Sequence, residues 1–135
     1  MNEQQKEFMK KQKKMIVDSL KKYFPTIPLF EDEMAEDEEK EFIKNKKYLA
    51  FVLSMGDFTP SNLGNLTQSF SIDYYSEDRD DVDETLIDII SLVEKIPTVS
   101  FVRTTKMRAR AANTDRFVDV VTLDFRRFVK YECRV

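Results

Sequence analysis

The sequence predicts an α+β fold with the element order α-β-β-α-β-β, a four-stranded, mainly antiparallel sheet with two helices packed on one face. Three observations predict it. Two segments carry apolar residues at helical spacing and stop at a proline, whereas four runs are rich in aromatic and β-branched residues, which favour strands. Each helix also has one apolar face, and one face of a sheet would cover both.

The first helix is predicted over residues 1–24. Seven lysines lie on its polar faces, and Pro25 ends it because proline disfavours helical geometry in the preceding residue. Its apolar face is formed by residues near helical spacing: Phe8, Met15, Ile16, Leu20, Tyr23 and Phe24. This face needs a sheet or a neighbouring subunit to cover it.

Residues 25–47 are predicted to form an acidic surface linker. Eight acids and one lysine lie between Glu31 and Glu41. A like-charge block of this kind is typical of solvated, mobile chain or of a short polar helix. The sequence leaves both possibilities open.

Residues 48–135 are predicted to be the sheet-helix-hairpin core of a single domain that spans 1–135. The run YLAFVLSM (48–55) is almost continuously apolar, as in a strand buried on both faces, and QSFSIDYY (68–75) alternates, as in a half-buried strand. Between them, GDFTPSNLGNLTQ (56–68) holds both glycines and a proline, which predicts a long loop at the tip of a hairpin.

The second helix is predicted over residues 82–97 and the last two strands over 98–106 and 116–131. In the final strand the alternation of apolar and polar residues changes phase near Val120 and Val121. This change indicates either a β-bulge or burial of the opposite face of the strand.

The composition excludes several kinds of site. There is no histidine and only one cysteine, Cys133, so Ser-His-Asp triads, histidine-ligated zinc and an intrachain disulfide are excluded. Two glycines are too few for a P-loop or a dinucleotide fingerprint. We therefore expect a protein that is not an enzyme and that has no catalytic residue, metal or cofactor.

One enzymatic alternative is a divalent-metal site. Its candidate residues are Glu38 with Lys40, and Asp73, Asp78, Asp80 and Asp81. Such spacings arise by chance in a chain that is 35% charged. The charged N-terminus lacks the apolar region of a secretory signal, and no apolar run is long enough to span a bilayer, so we expect a cytoplasmic protein without membrane contact.

Charge is segregated along the chain. Residues 1–24 hold seven basic and three acidic residues, a net charge of +4, and residues 25–47 hold four basic and eight acidic residues, a net charge of −4. Residues 48–100 hold two basic and ten acidic residues (−8), and residues 101–135 hold nine basic and four acidic residues (+5). Opposite patches of this kind suit contacts between copies of one chain. They are also compatible with an ordinary solvated surface.

The stretch RTTKMRARAANTDR (103–116) is predicted to be a basic arm joining the last two strands. Its positive charge either keeps a sheet edge from aggregating or contacts an acidic partner. Aromatic residues that would stack on bases are missing from it, so protein contact is favoured over nucleic acid. The predicted contact between copies joins Arg103, Lys106, Arg108, Arg110 and Arg116 to Asp78, Asp80, Asp81, Asp83 or Glu84.

The pattern resembles the tail-terminator (tail-completion, tail-to-head joining) proteins of long-tailed bacteriophages. An N-terminal helix is followed by the strands YLAFVLSM and QSFSIDYY, the helical segment VDETLIDIISLVEKI and a terminal hairpin ending in RFVDVVTLDFRRFV. The likeness covers nearly the whole chain and is one of architecture and pattern, without a signature motif. Other small phage neck and head-completion proteins share parts of it.

The resemblance implies a non-enzymatic homo-oligomer, expected to be a hexameric ring. Such a ring ends polymerisation of the tail tube and joins the tail to the head-completion or connector protein. The protein would be assembled in the host cytoplasm and reside in the virion, with nucleic acid at most passing through the ring lumen. The expected loop contact to tube or connector comprises Phe58, Asn62, Leu63, Asn65 and Leu66. A monomeric intracellular protein-binding module is the alternative.

Overall fold

A computed structural model describes residues 1–44, 46–62, 64–111 and 114–131. Three helices and five strands lie within these residues. Their order is α1 (Glu3–Tyr23), β1 (Leu29–Glu31), α2 (Glu36–Lys44), β2 (Leu49–Pro60), β3 (Asn65–Ser76), α3 (Val82–Glu94), β4 (Val99–Arg110) and β5 (Phe117–Lys130). The strands form one mixed sheet in the order β1-β2-β3-β5-β4, in which β1 is parallel to β2 and the other neighbours are antiparallel.

The predicted four-stranded sheet with two helices, in the order α-β-β-α-β-β, is therefore wrong. The segment predicted as an acidic linker supplies both additional elements, β1 and α2. A strand of three residues is too short to produce a recognisable alternation. In α2, five acids surround the two residues that attach the helix to the sheet, Phe42 and Ile43, so its composition resembled that of a solvated segment.

Helices α1 and α3 pack on the same face of the sheet. Ile16 and Leu20 of α1 and Ile89 and Val93 of α3 are fully buried there. The sheet meets them with large side chains from its three central strands: Phe51, Leu53, Phe70, Ile72, Tyr74, Val121, Leu123 and Phe125. This cluster is the main core, and burial of so much apolar surface is the principal stabilising contribution to the fold.

Helix α2 covers part of the opposite face. Phe42 stacks on Tyr48 with ring centres 5.1 Å apart, and both pack against Ala50, Val118 and Val120. The register between β3 and β5 runs without a shift from one end to the other. The change of phase seen in the sequence of β5 therefore reflects burial on both faces and not a bulge.

The predicted long loop at residues 56–68 is also wrong. β2 continues to Pro60 and β3 begins at Asn65, so most of the segment is paired sheet. Gly56 lies at a register shift between Met55 and Phe58, where a Cβ atom would be 2.9 Å from the carbonyl oxygen of Ser69. Gly56 thus permits close approach of two strands, and only Gly64, with a φ of 79°, serves a turn.

Most of the predicted arm is the edge strand of the sheet. β4 extends to Arg110, beyond the expected end at residue 106, and it pairs with β5 on one side only. The connection that follows, residues 111–116, includes two positions outside the described residues. The basic stretch therefore belongs largely to an ordered strand.

Candidate interaction surfaces

The β4–β5 hairpin and the segment leading into α3 border a cleft at one end of the sheet, here called the arm cleft. Its two adjoining parts have volumes of about 500 and 680 Å³ and share Arg79, Asp80, Arg108 and Asp119. Predicted contact residues of both charges line it: Asp78, Asp80, Asp83, Glu84, Lys106, Arg108 and Arg116. The groups that were expected to meet between copies thus lie near each other within one chain.

Two cations of the arm cleft have carboxylate partners in the same chain. Lys106 Nζ lies 2.6 Å from Asp83 Oδ1, and Arg108 Nε lies 3.2 Å from Asp119 Oδ1. The side chains of Lys106, Asp83 and Arg108 are more than half exposed, and exposed ion pairs contribute at most about 1 kcal/mol. Such pairs can exchange partners at little cost, so a contact with a second copy stays a prediction.

The other two predicted basic residues of β4, Arg103 and Arg110, do not line the arm cleft. Arg103 Nε lies 3.4 Å from Asp124 Oδ2, on the face of the sheet opposite to Lys106. The guanidinium carbon of Arg110 lies 5.7 Å from the ring centre of Phe117, a cation–π distance. The five predicted basic contact residues are therefore divided between two faces of the hairpin.

Arg116 directs its donors into its own chain. Its Nε and Nη2 donate to the two carboxylate oxygens of Glu77 at 2.8 and 2.6 Å. It also donates to the backbone carbonyls of Phe42, Ile43 and Lys46, at distances of 2.7 to 3.0 Å. Because these carbonyls lie at the negative end of the α2 dipole, Arg116 caps this helix.

Glu77 completes this arrangement, and sequence reasoning missed it. Its side chain is buried, and its Oε1 accepts a further hydrogen bond from the backbone N–H of Tyr48 at 3.0 Å. The hydrogen bonds from Arg116, assisted by that of Tyr48, hold the pKa of the Glu77 carboxyl below its ordinary value, although burial opposes the shift. No spacing in the sequence connects Glu77 with a residue 39 positions later.

Two of the remaining predicted acids, Asp78 and Asp81, also have partners in the chain. Asp78 Oδ2 lies 3.3 Å from Lys47 Nζ. The guanidinium of Arg79 donates to both oxygens of Asp81, at 3.0 and 2.9 Å, which lowers the pKa of that carboxyl. Asp80 lines the arm cleft beside them. This turn is thus held together by local ion pairs.

The carboxylates of the metal-site alternative are spread over separate elements. Asp73 lies on β3, where its Oδ1 accepts a hydrogen bond from Thr122 Oγ1 at 2.7 Å, and Glu38 is exposed on α2. In the described part of the chain, no three Asp, Glu, Cys or His side chains are arranged to hold a metal ion. We therefore propose no metal site.

A buried polar network between α1 and the sheet was also missed. Arg127 is only 3% exposed, and it donates from Nε and Nη2 to Gln68 Oε1 at 2.8 and 2.6 Å. Its Nη1 donates to the carbonyl of Met9 at 3.1 Å and to Gln12 Oε1 at 3.2 Å. These acceptors are all neutral, and burial lowers the pKa of Arg127.

The network helps to fix which face of α1 packs on the sheet. Gln12 is buried, and its Nε2 donates to the carbonyl of Pro97 and to Thr98 Oγ1, both at 2.7 Å. Phe8 and Met15, predicted for the buried face, are exposed instead, as is Tyr23. Sequence reasoning placed them inside because it counted apolar residues and passed over a glutamine with a specific partner.

The predicted contact loop lies at the end of the sheet opposite to the arm cleft. Phe58 is exposed on β2, and the carbonyl of Asn62 accepts a hydrogen bond from the N–H of Asn65 at 2.8 Å. Leu66 is paired within β3, and Leu63 lies outside the described residues. The structure therefore brings Phe58, Asn62 and Asn65 to one hairpin tip, and their role as contacts stays a prediction.

A further groove, here called the α2 groove, lies on the α2 face of the sheet and has a volume of about 420 Å³. Its apolar lining includes Met34, Ile43, Tyr75, Val118 and Val120. Its charged lining is Asp32, Glu33, Glu39, Asp73 and Arg110. Burial, Asp73 and Glu39 raise the pKa of Tyr75, as expected beside negative charge. Sequence reasoning missed this groove because it placed no helix on this face.

A scan against protein-family models and a search of curated proteins found no match to this sequence. Among the helices of the described residues, none combines the length and apolar character needed to cross a bilayer.

Proposed function

We propose that this chain is a non-enzymatic structural subunit that assembles with copies of itself. The finer proposal is a phage tail terminator, a ring of about six copies that ends tube polymerisation and joins the tail to the head connector. It would be assembled in the host cytoplasm and then reside in the virion, with nucleic acid at most passing through its lumen. The resemblance in sequence pattern supports this finer part, and it is carried by the segments that form α1, β2, β3, α3 and the terminal hairpin.

The observation that carries self-assembly is the long unpaired edge of the sheet. Within the residues that the structure describes, β4 has twelve residues and pairs with one neighbouring strand, whereas β1, the other edge strand, is only three residues long. Val102 and Met107 of β4 are 46% and 61% exposed. An edge of this length with exposed apolar side chains can pair with, or pack on, another chain.

The basic residues of β4 are compatible with a second candidate function, the monomeric binding module. Lys106 and Arg108 are paired within the chain, and charged side chains on an edge strand oppose edge-to-edge association. In this alternative the same edge would bind a different protein. The two candidates differ in the mass of the free protein at high concentration.

The first test is the solution mass by light scattering over a series of protein and salt concentrations, with negative-stain images of large species. We expect a closed ring of about six copies. Met107→Lys is expected to weaken association, while Ile87→Lys, at a comparably exposed apolar residue on α3, serves as the matched control. A monomeric mass over the whole range contradicts self-assembly and favours the binding module.

A second test addresses the contact proposed for the basic residues. Arg108→Glu combined with Arg110→Glu is expected to weaken assembly and to change its dependence on salt, because screening acts on exposed charges. If assembly and its salt dependence are both unchanged, the basic residues of β4 do not contact the acids of a neighbour.

A further inference from the structure

Helices α1 and α2, which lie on opposite faces of the sheet, have net charges of opposite sign. α1, on one face, has seven lysines and three acids, a net charge of +4. α2, on the other face, has five acids and two lysines, a net charge of −3. Helix α3, which packs beside α1, has four acids and no basic residue, so among the helices on that side of the sheet the positive charge belongs to α1 alone.

The exposed side of α1 combines this charge with apolar side chains. Phe8 and Met15, which are 39% and 41% exposed, lie seven residues apart and so project on the same side of the helix. At 100° per residue, Lys11 and Lys22 lie on this side as well, and both are exposed. We call these four residues the α1 stripe.

The α2 groove has the complementary character. Its floor is apolar, with Met34, Ile43 and Tyr75, and its carboxylates include Glu33 and Glu39. Among the described residues that line it, Arg110 is the only cation against four acids. An occupant with protruding apolar side chains between lysines fits such a groove, because its charges meet carboxylates while its apolar atoms leave water.

We propose that the α1 stripe of one copy docks in the α2 groove of a second copy. This inference rests on the proposed self-assembly and adds a second contact to the one proposed at the β4 edge. Because the stripe and the groove lie on opposite faces, the contact is heterologous, and repetition of it gives a ring when the rotation closes. It differs from the contact predicted for the basic residues of β4, whose partners lie largely within the chain.

The test uses charge reversal on each side of the contact, with self-association measured by light scattering. Lys11→Glu with Lys22→Glu reverses the stripe, and Glu33→Lys with Glu39→Lys reverses the groove. Each double variant is expected to associate at least about tenfold more weakly, which corresponds to about 1.4 kcal/mol. Lys10→Glu with Lys21→Glu is the matched control, since these lysines are eleven residues apart on a different side of the same helix.

Mixing the two reversed variants provides the decisive comparison. In the mixture, a reversed stripe meets a reversed groove and a native stripe meets a native groove, so alternation of the variants is expected to restore assembly with an even number of copies. Unchanged association of both variants, or an equal effect of the control, overturns the docking contact while self-assembly stands.

Zero-length cross-linking of lysine to carboxylate locates the contact directly. In a mixture of ¹⁵N-labelled and unlabelled protein, mixed-isotope links between the α1 stripe and Glu33 or Glu39 are expected. The intrachain pair of Lys13 Nζ and Glu31 Oε1, 2.7 Å apart, is the internal control. Associated protein without such links overturns the docking contact alone, whereas protein that never associates overturns both the contact and the proposed function.

Discussion

Arg116 donates two hydrogen bonds, of 2.8 and 2.6 Å, to the carboxylate of Glu77, which lies 39 residues earlier in the chain. The same guanidinium caps α2. This pair therefore links the β4–β5 connection, the end of β3 and the helix on the second face of the sheet. The two residues thus hold the C-terminal end of α2, in addition to the packing of Phe42 and Ile43 on the sheet.

Glu77→Gln is expected to destabilise the fold. The substitution removes the charge that Arg116 faces and leaves one acceptor in place of two, so we expect the free energy of unfolding to fall by about 1–3 kcal/mol. Urea unfolding measures it. Asp78→Asn is the control, because Asp78 has an exposed partner in Lys47, and its effect is expected to stay within about 0.5 kcal/mol. Equal effects would contradict the role assigned to Glu77.

The contribution of Glu77 is expected to depend on pH. Its pKa is lowered in the folded protein, so the unfolded chain binds its proton at a higher pH than the folded chain does. The stabilisation is therefore fully present above the ordinary pKa of about 4.3 and is lost as the pH falls through the lower folded value. The measurement is the difference between wild type and Glu77→Gln in urea unfolding from neutral to acid pH. A difference that grows on acidification would have the wrong sign.

Arg127→Lys is expected to cost about 1.5–3 kcal/mol of stability, since a single ammonium group cannot reach Gln68, Gln12 and the Met9 carbonyl together. The adjacent Arg126→Lys is the matched control. Arg126 is exposed, and its Nε lies 3.3 Å from Ser100 Oγ, so its replacement is expected to change stability by less than about 0.5 kcal/mol. Thermal and urea unfolding of both variants measure the difference. Similar values would show that the buried network contributes little.

The two glycines are expected to respond differently to substitution. Gly56→Ala places a Cβ atom 2.9 Å from the backbone oxygen of Ser69, and we expect a loss of about 1–3 kcal/mol. Gly64 has open space around it but a positive φ, which asparagine tolerates, so Gly64→Asn is expected to be nearly neutral. Equilibrium unfolding of the two variants tests this. A neutral Gly56→Ala would show that β2 and β3 can separate there.

Strongly periodic segments were predictable from the sequence, whereas short and acidic ones were not. Both long helices and the four long strands contain a helical spacing, an alternation or a continuous run of apolar residues, and each was expected near its position, although β2, β3 and β4 are longer than predicted. β1 is too short to show a period, and the five acids of α2 obscure its two anchoring residues. Both depend on tertiary contacts: β1 pairs with β2, and α2 packs through Phe42 and Ile43 and is capped by Arg116.

The candidate surfaces were predictable only where they depended on charge. The basic stretch and the acids before α3 do lie at the same end of the molecule. Their pairing within one chain follows from the position of β4 beside β5. A count of charges along the sequence cannot give that position. The buried face of α1 was predicted in part: Ile16 and Leu20 are buried as expected, whereas Phe8 and Met15 are exposed. Gln12 was missed because, although polar, it has three specific partners, Pro97, Thr98 and Arg127.

The strand order has a consequence for how the protein is made. β5 leaves the ribosome after the other four strands, yet its place is between β3 and β4. Until it is synthesised, β3 has an open side and β4 has no strand to pair with. The sheet therefore closes in a single late step, and a chain that stalls before residue 117 would expose two unpaired strand edges, which favour aggregation.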